Sequence, residues 1–404
     1  MDRESYDSRM KMFTSPGVTL TALEASGTRI TTREYGELID FEAGCWAAVL
    51  GHGRKEITQV LTENAGHLFH THQLFDTEHP SALVKELSAA AKLKCSYKGT
   101  FLSSGSEAVA LTVTLAELIT GRQRKLSLSI SNHGSTPTIK MPRNPMQWTD
   151  LEVDECLSCN KGTDCKECGK FNSIDYSQMA AFVFDAGNSA GLVLLPPEKL
   201  ITFLAEETRH AGGLVIANEI TTGFGRTGKW FGFQHYGAFD TEENSPDLIA
   251  IGKGLGNGYP ISGCLVRRSL AEMIEATDYR YVQSHIDDPM GCLVARKVVE
   301  ILVKENLVEH GNSMGEYLRS KLTQLLERTG AINEVRGRGM MNVAILSKDH
   351  KAKDVFLRLL EKGFFVEYTE AYNLLRFYAA LTIERDDIDA LCRSLELMLS
   401  ANSN

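Results

Sequence analysis

The sequence lacks the features that mark membrane, secreted and nucleic-acid-binding chains. No apolar run approaches the roughly 20 residues needed to span a bilayer. The opening residues, MDRESYDSRMKMF, are polar and charged and hold no apolar stretch of a secretory leader. Basic runs are missing and the net charge is −9, so neither nucleic acid nor a membrane is an expected partner. Prolines are few, and there is no internal repeat or low-complexity linker. These absences lead us to expect an ordinary globular chain in the cytoplasm.

What is present fits that expectation. Of 404 residues, 43% are apolar and 24% charged, enough for a large core in two or three units of about 150 residues each. Five cysteines are scattered (Cys45, Cys95, Cys264, Cys292, Cys392) and read as small buried apolar side chains.

Short apolar runs alternate with amphipathic stretches, the pattern of an α/β protein. Strands are predicted at Thr100–Ser103, Leu126–Ile130, Ala180–Phe184, Leu214–Ala217 and Leu248–Ile251. Their continuous apolar character suits a parallel sheet covered on both faces. A helix is predicted over Pro197–His210. Towards the C-terminus, Val294, Val298, Ile301 and Leu302 recur at helical spacing, as do Ile388, Leu391, Leu395 and Met398. Strand-like Met341–Leu346 and Leu374–Tyr378 lie between them, which reads as a smaller α+β unit. Short strands are expected early, at Thr28–Thr32 and Leu38–Phe41.

Four segments carry chemistry. Ser103–Glu117, SSGSEAVALTVTLAE, follows a strand and opens a helix. Gly105 and Ser106 there offer N–H groups and a hydroxyl to an anion such as a phosphate. The same residues also read as a plain capped helix start, with Ser104 or Ser106 as the cap and Glu107 in the first turn. Asp247–Gly263, DLIAIGKGLGNGYPISG, delivers Lys253 from a buried strand into a glycine-rich run. A lysine there is costly unless used, and a partly desolvated amine can form an imine with an aldehyde. Leu214–Gly228, LVIANEITTGFGRTG, ends a strand in Asn218 and Glu219. Asn132–Thr138, NHGSTPT, presents His133, which can stack on or hydrogen-bond a ring, or serve a structural role.

In order and spacing, Gly105–Ala108, Asn132–Gly134, Thr222–Gly228 and Lys253 within GKGLGNGYP resemble the class III aminotransferases, fold-type-I enzymes dependent on pyridoxal 5′-phosphate (PLP). Leu50–His52, Leu68–Thr71, Val335–Gly339 and Leu375–Phe377 extend the resemblance from about residue 20 to the end of the chain. It implies a large domain with a mostly parallel sheet over 51–290, a small α+β domain over 291–404, and an N-terminal segment, 1–50, that joins the small domain. It implies that Lys253 forms the Schiff base and moves protons at the substrate Cα, with Gly105 and Ser106 at the phosphate. Ser284 matches the hydroxyl that completes the neighbouring subunit's phosphate site, which implies a homodimer with shared active sites. Arg376 matches an arginine that pairs with a substrate carboxylate. The activity implied is amino transfer between a carboxylate-bearing amine and a keto acid. Racemisation or epimerisation of an amino acid on the same fold is one alternative, and a non-catalytic PLP-fold binding protein is another.

The cofactor contacts depart from the family pattern. Asn218 stands where an aspartate normally faces the pyridine nitrogen. Such a pair at about 4 Å and an effective dielectric near 20 is worth on the order of 4 kcal/mol, roughly three pKa units. Asn132 replaces an aromatic that stacks on the ring, and Thr221 replaces a glutamine near the ring hydroxyl, whereas Ile220 remains a suitable apolar partner. In Phe184–Gly191, FDAGNSAG, Asp185 and Ala190 replace two glutamates, the second of which covers the carboxylate-binding arginine in many members. Arg376 is therefore expected to be permanently free, which favours an α-amino carboxylate over an ω-amine.

A cysteine-rich insert spans 150–172. Its ECLSCNKGTDCKECGK places Cys156, Cys159, Cys165 and Cys168 at C-x2-C-x5-C-x2-C spacing. Two such knuckles can put four thiolates around one tetrahedral ion. Structural zinc is expected, with an iron–sulfur cluster as the alternative.

Overall fold

The computed structural model describes residues 18–159, 164–187 and 191–400. Ala190 and the first seventeen residues of the N-terminal segment lie outside them. The described chain opens with an antiparallel meander of β1 (Ala22–Ser26), β2 (Arg29–Thr32) and β3 (Gly36–Asp40), followed by α1 (Lys55–Asn64) and α2 (His79–Ala90).

The large sheet comes next. Its strands are β4 (Tyr97–Leu102), β5 (Arg124–Leu128), β6 (Trp148–Leu151), β7 (Met179–Phe184), β8 (Leu214–Asn218), β9 (Leu248–Ile251) and β10 (Ser262–Arg267). They lie side by side in the order β4-β10-β9-β8-β7-β5-β6. All pairings among β5 to β9 are parallel, and β10 runs antiparallel to both β4 and β9. Between the strands run α3 (Gly105–Thr120) and α4 (Glu198–His210), and α5 (Arg268–Glu275) follows β10.

Both faces of this sheet are covered, which is why its central strands β7, β8 and β9 are apolar at every position but Asn218 at the end of β8. Ile216, Val183, Ala250 and Cys264 pack under α3, through Ala108, Val109 and Ala116. Their neighbours Val215, Ala217, Phe182, Phe184 and Ile249 face the other way, onto Leu200, Ile201 and Leu204 of α4. Each valine, leucine, isoleucine or phenylalanine among them contributes about 1.5–3 kcal/mol on burial.

The C-terminal part contains α6 (Pro289–Lys304), α7 (Leu307–Thr329), β11 (Ile332–Arg338), β12 (Met341–Leu346), α8 (Ala352–Glu361), β13 (Phe364–Phe365), β14 (Glu367–Thr369), β15 (Leu374–Phe377) and α9 (Arg385–Ser400). An antiparallel sheet in the order β11-β12-β15-β14 carries these helices. The short β13 pairs in parallel with β3, so the N-terminal meander is continued by the C-terminal part. Among the described residues, no helix is long and apolar enough to cross a membrane.

Candidate active site

The carboxyl ends of β8 and β9 and the N-terminus of α3 converge, the usual location of ligand sites in such sheets. Lys253 follows β9 directly, in a left-handed conformation with φ 43°. Its Nζ donates to Thr221 Oγ1 at 2.8 Å and lies 4.3 Å from the centre of the Trp46 ring. Burial pushes the amine down to about 8, so a sizeable neutral fraction exists near pH 7–8.

Ile220, two residues past Asn218, wedges against two glycines. A Cβ at Gly105 would come within 2.7 Å of Ile220, and one at Gly252 within 3.2 Å. Absence of side chains at these two positions therefore lets the start of α3 approach the lysine strand. Ser104 caps that helix: its Oγ accepts from Glu107 N, and the Glu107 carboxylate accepts from Ser104 N at 2.8 Å. The plain capping role falls to Ser104, which leaves Gly105 and Ser106 as the first N–H groups of the helix, without intrahelical partners. Ser106 Oγ accepts from Ser135 N at 3.0 Å and so ties the Asn132–Thr138 loop to the helix start.

Asn218 is buried, and its amide is held from below. Nδ2 donates to His133 Nδ1 at 3.2 Å and to Asn132 O at 3.4 Å, and Oδ1 accepts from Ile220 N at 3.3 Å. His133 is itself buried, packs against Trp148 with ring centres 5.7 Å apart, and pairs with Ser127 Oγ at 2.7 Å through Nε2. Burial, aided by Arg143, holds its pKa well below the usual histidine value. The imidazole is thus neutral and supports Asn218 from beneath. The structural role weighed for His133 is the one its surroundings describe. Asn132 is exposed beside it, with Oδ1 accepting from Gly134 N.

Glu219, adjacent to Asn218 in sequence, faces the opposite way. Its carboxylate accepts from Thr222 Oγ1 at 2.6 Å and from Gly232 N and Phe233 N at 2.7 Å each. It pins the glycine-rich loop after β8. Arg226 in that loop is fully buried and donates to the carbonyls of Tyr378 (2.9 Å), Ala379 and Trp46 (3.2 Å). That arginine couples the large sheet to the C-terminal part.

The expectation that Arg376 is free is wrong. Its Nε and Nη2 donate to the Glu42 carboxylate at 3.0–3.3 Å, with Glu367 3.7 Å away. Both Arg376 and Glu42 are buried. The covering acid therefore comes from the N-terminal segment, and the preference for α-amino substrates loses the premise of an uncovered arginine. Burial drives Glu42 up to about 7 against the opposing pull of Arg376, whose guanidinium remains charged.

Sequence reasoning missed this segment. Ala43, Gly44, Cys45 and Trp46 form a left-handed turn, with φ of 45°, 57°, 61° and 73°. Each non-glycine residue in that conformation costs about 1–2 kcal/mol. Asp40 holds the turn: its carboxylate accepts from the N–H groups of Glu42 (2.7 Å), Ala43 (3.0 Å) and Gly44 (3.3 Å), and pairs with His52 Nε2 at 2.8 Å. The result places Trp46 against both cations, 4.3 Å from Lys253 Nζ and 4.7 Å from the Arg376 guanidinium carbon. In the sequence, Gly44 within FEAGCW is the single local hint of such a turn.

Ser284 is exposed on the loop before α6. Its neighbour Gln283 reaches Ser103 Oγ (3.4 Å) and Glu107 Oε1 (3.3 Å), so this loop borders the start of α3. Cys156, Cys159, Cys165 and Cys168 line one small cavity, with Phe171, Pro197, Leu200 and two lysines; Lys253 is not among its lining residues.

A sheet of this order, with a lysine of lowered basicity after β9 facing a helix N-terminus, has the architecture of the fold-type-I PLP transferases. The chain belongs to the class-III aminotransferase family, whose model matches residues 14–399. It is 29% identical over 364 residues to acetylornithine aminotransferase of Methanopyrus kandleri, covering 87% of each chain. It is 27% identical over 412 residues to a leucine/methionine racemase of Thermococcus litoralis, covering 93% of this chain and 90% of that one. In fold it is similar to taurine:2-oxoglutarate aminotransferase of Bifidobacterium kashiwanohense, solved with PLP and glutamate, with a TM-score of 0.87 at 18% identity over 99% and 96% of the two chains. The protein is a PLP-dependent aminotransferase. Its residues suit that cofactor: a buried amine for the aldehyde, helix-start N–H groups for the phosphate, and Ile220 as an apolar surface for the ring.

Proposed function

We propose that the enzyme moves an amino group between an α-amino acid and a keto acid, with Lys253 as the imine-forming lysine and Arg376 as the carboxylate site. The observation that carries this is the shared placement of the two cations against the Trp46 indole. A short amino acid can present its amine towards one and its carboxylate towards the other. When bound, PLP supplies the aldehyde and the electron-withdrawing ring. The protein's part is to hold Lys253 against Thr221 with a proton-accepting amine, to keep water out with Trp46, and to orient the carboxylate at Arg376. Glu42 covers Arg376 whenever no carboxylate is bound.

The test is a panel of amino acids offered with a 2-oxo acid, following keto-acid release and the absorption of the bound cofactor. Stoichiometric keto acid supports amino transfer. Deuterium uptake at Cα with loss of optical activity and no keto acid would assign racemisation instead, the activity in the name of the Thermococcus relative.

We also propose a homodimer in which Ser284 completes the partner's phosphate site. Leu74 and Phe75 support it, at 86% and 70% exposed on the segment beside that loop. The domain division proposed is a cofactor-binding domain over 51–290 and a small domain over 291–404, with the N-terminal segment allied to the small one, as the β3–β13 pairing favours. A cytoplasmic location agrees with nine free cysteines.

For the four-cysteine insert we propose one structural zinc. What supports this is that all four cysteines line one common cavity, and four thiolates are a complete tetrahedral ligand set for zinc. Metal analysis of the purified enzyme should give one zinc per chain, and Cys165→Ser should release it while transamination persists. Iron, with visible absorption beyond the cofactor band, would assign the cluster instead.

A further inference from the structure

Away from Lys253 and from the cysteine insert, two stretches of chain meet around one carboxylate. Asp288 occupies the N-cap position of α6, yet its side chain does not cap the helix. Its two oxygens are taken by two imidazoles: His70 Nδ1 lies 2.8 Å from Oδ1 and His285 Nδ1 lies 2.7 Å from Oδ2. The two rings lie against each other, tilted by 45°, with centres 4.7 Å apart. The three potential ligand atoms all lie within 4.8 Å of one another. A separate contact, Gln73 Nε2 to Gln283 O at 2.7 Å, fastens the segment bearing His70 to the loop bearing His285. The adjacent Asp287 is not part of the cluster, since its carboxylate turns inward to Phe101 N at 2.7 Å and to Thr100.

We infer that His70, His285 and Asp288 form a binding site for a divalent transition-metal ion. Two imidazoles and one carboxylate on one side of an ion, with the remaining positions open, are a donor set suited to nickel, cobalt, zinc or copper, and ill suited to calcium or magnesium. Metal–ligand distances of about 2.0–2.2 Å would separate neighbouring ligand atoms by about 3 Å, slightly more than the present nitrogen–oxygen distances. Accommodation therefore needs the two imidazoles, now hydrogen-bonded to different oxygens of Asp288, to turn their Nδ1 lone pairs towards one ion. It also needs each imidazole to carry its proton on Nε2, freeing the Nδ1 lone pair. In the single subunit the His70 and His285 side chains are 44% and 54% exposed. Once bound, the ion would tie the 65–78 segment, the loop with Ser284 and the start of α6 into one unit.

The experiment uses tag-free holoenzyme dialysed against micromolar free nickel(II), followed by metal analysis. Nickel is chosen because imidazole and carboxylate hold it well. One nickel per chain is expected in the parent and in Cys165→Ser. His285→Ala, His70→Ala and Asp288→Asn should each lose it by tenfold or more at the same free nickel, since removing one of three ligands leaves a weak two-donor site. Circular dichroism and the oligomeric state of each variant verify that it is folded and assembled like the parent. Nickel content that is unchanged in all three variants, nickel that is lost in Cys165→Ser alone, or a parent that retains none would overturn the site.

Discussion

Arg376→Ala lowers kcat/KM for α-amino acid donors by about 10²- to 10³-fold, the loss of about 3–4 kcal/mol from a desolvated charge-assisted pair. An amine of the same length without the carboxylate should be affected far less, so the ratio of the two substrates is the measurement. Equal losses for both would show that Arg376 does not read the carboxylate. The variant also leaves Glu42 as a buried carboxylate without its partner. Breaking such a pair costs about 3–5 kcal/mol. The cost depends on pH in a definite direction. In the folded state Glu42 is already raised to about 7, well above an ordinary glutamate. A carboxyl raised by folding binds more protons in the native state, so its contribution to stability falls as pH rises from the unfolded pKa through the folded one. Without Arg376 the native pKa moves higher and the loss deepens. Arg376→Ala should therefore unfold at a temperature nearer the parent's at pH 5 than at pH 8. Adding Glu42→Gln should restore much of the stability at pH 8 without restoring activity. That separation distinguishes substrate recognition from packing.

Much of this site could be read in the sequence, for physical reasons that also explain what could not. Lys253 stood out because a charged residue at the end of Leu248–Ile251, followed by glycines, is hard to explain by burial alone. The large sheet was legible because strands covered on both faces are apolar throughout, and β9 matches its predicted bounds. The antiparallel β10 was not foreseen: ISGCLVR is too short to distinguish from a loop, and its direction is set by pairing with β4 and β9. Glu42 and Trp46 were invisible for a deeper reason. Alanine, cysteine and tryptophan do not favour positive φ, so local propensity argues against the turn that carries them. Asp40 and the pairing with Arg376 override that propensity, which is how strain tends to be kept at functional sites. The partner of Arg376 was likewise misjudged because the nearest acid in space is 334 positions away in sequence.

Asn218→Asp should raise the rate of amino transfer by about 10- to 100-fold, the part of a roughly three-unit pKa change at the ring nitrogen that is felt at Cα. The structure adds a condition and a second readout. Asn218 donates to His133 Nδ1, so the network assigns the imidazole proton to Nε2, where it is given to Ser127 Oγ. A carboxylate in that place accepts instead, and His133 must move its proton to Nδ1. The Ser127 hydroxyl can donate as readily as it accepts, so the exchange is feasible without new space. Nitrogen NMR of His133 should report the change of tautomer. In the cofactor-free protein, the new carboxylate is buried where a neutral amide stood, so the melting temperature should fall by the equivalent of about 1–3 kcal/mol. With PLP bound, a protonated ring nitrogen offers it a cation. The gain in melting temperature on binding PLP should therefore be larger in Asn218→Asp than in the parent. A tautomer change with no larger gain and no faster transfer would place Asn218 away from the ring nitrogen, as a support for His133 alone.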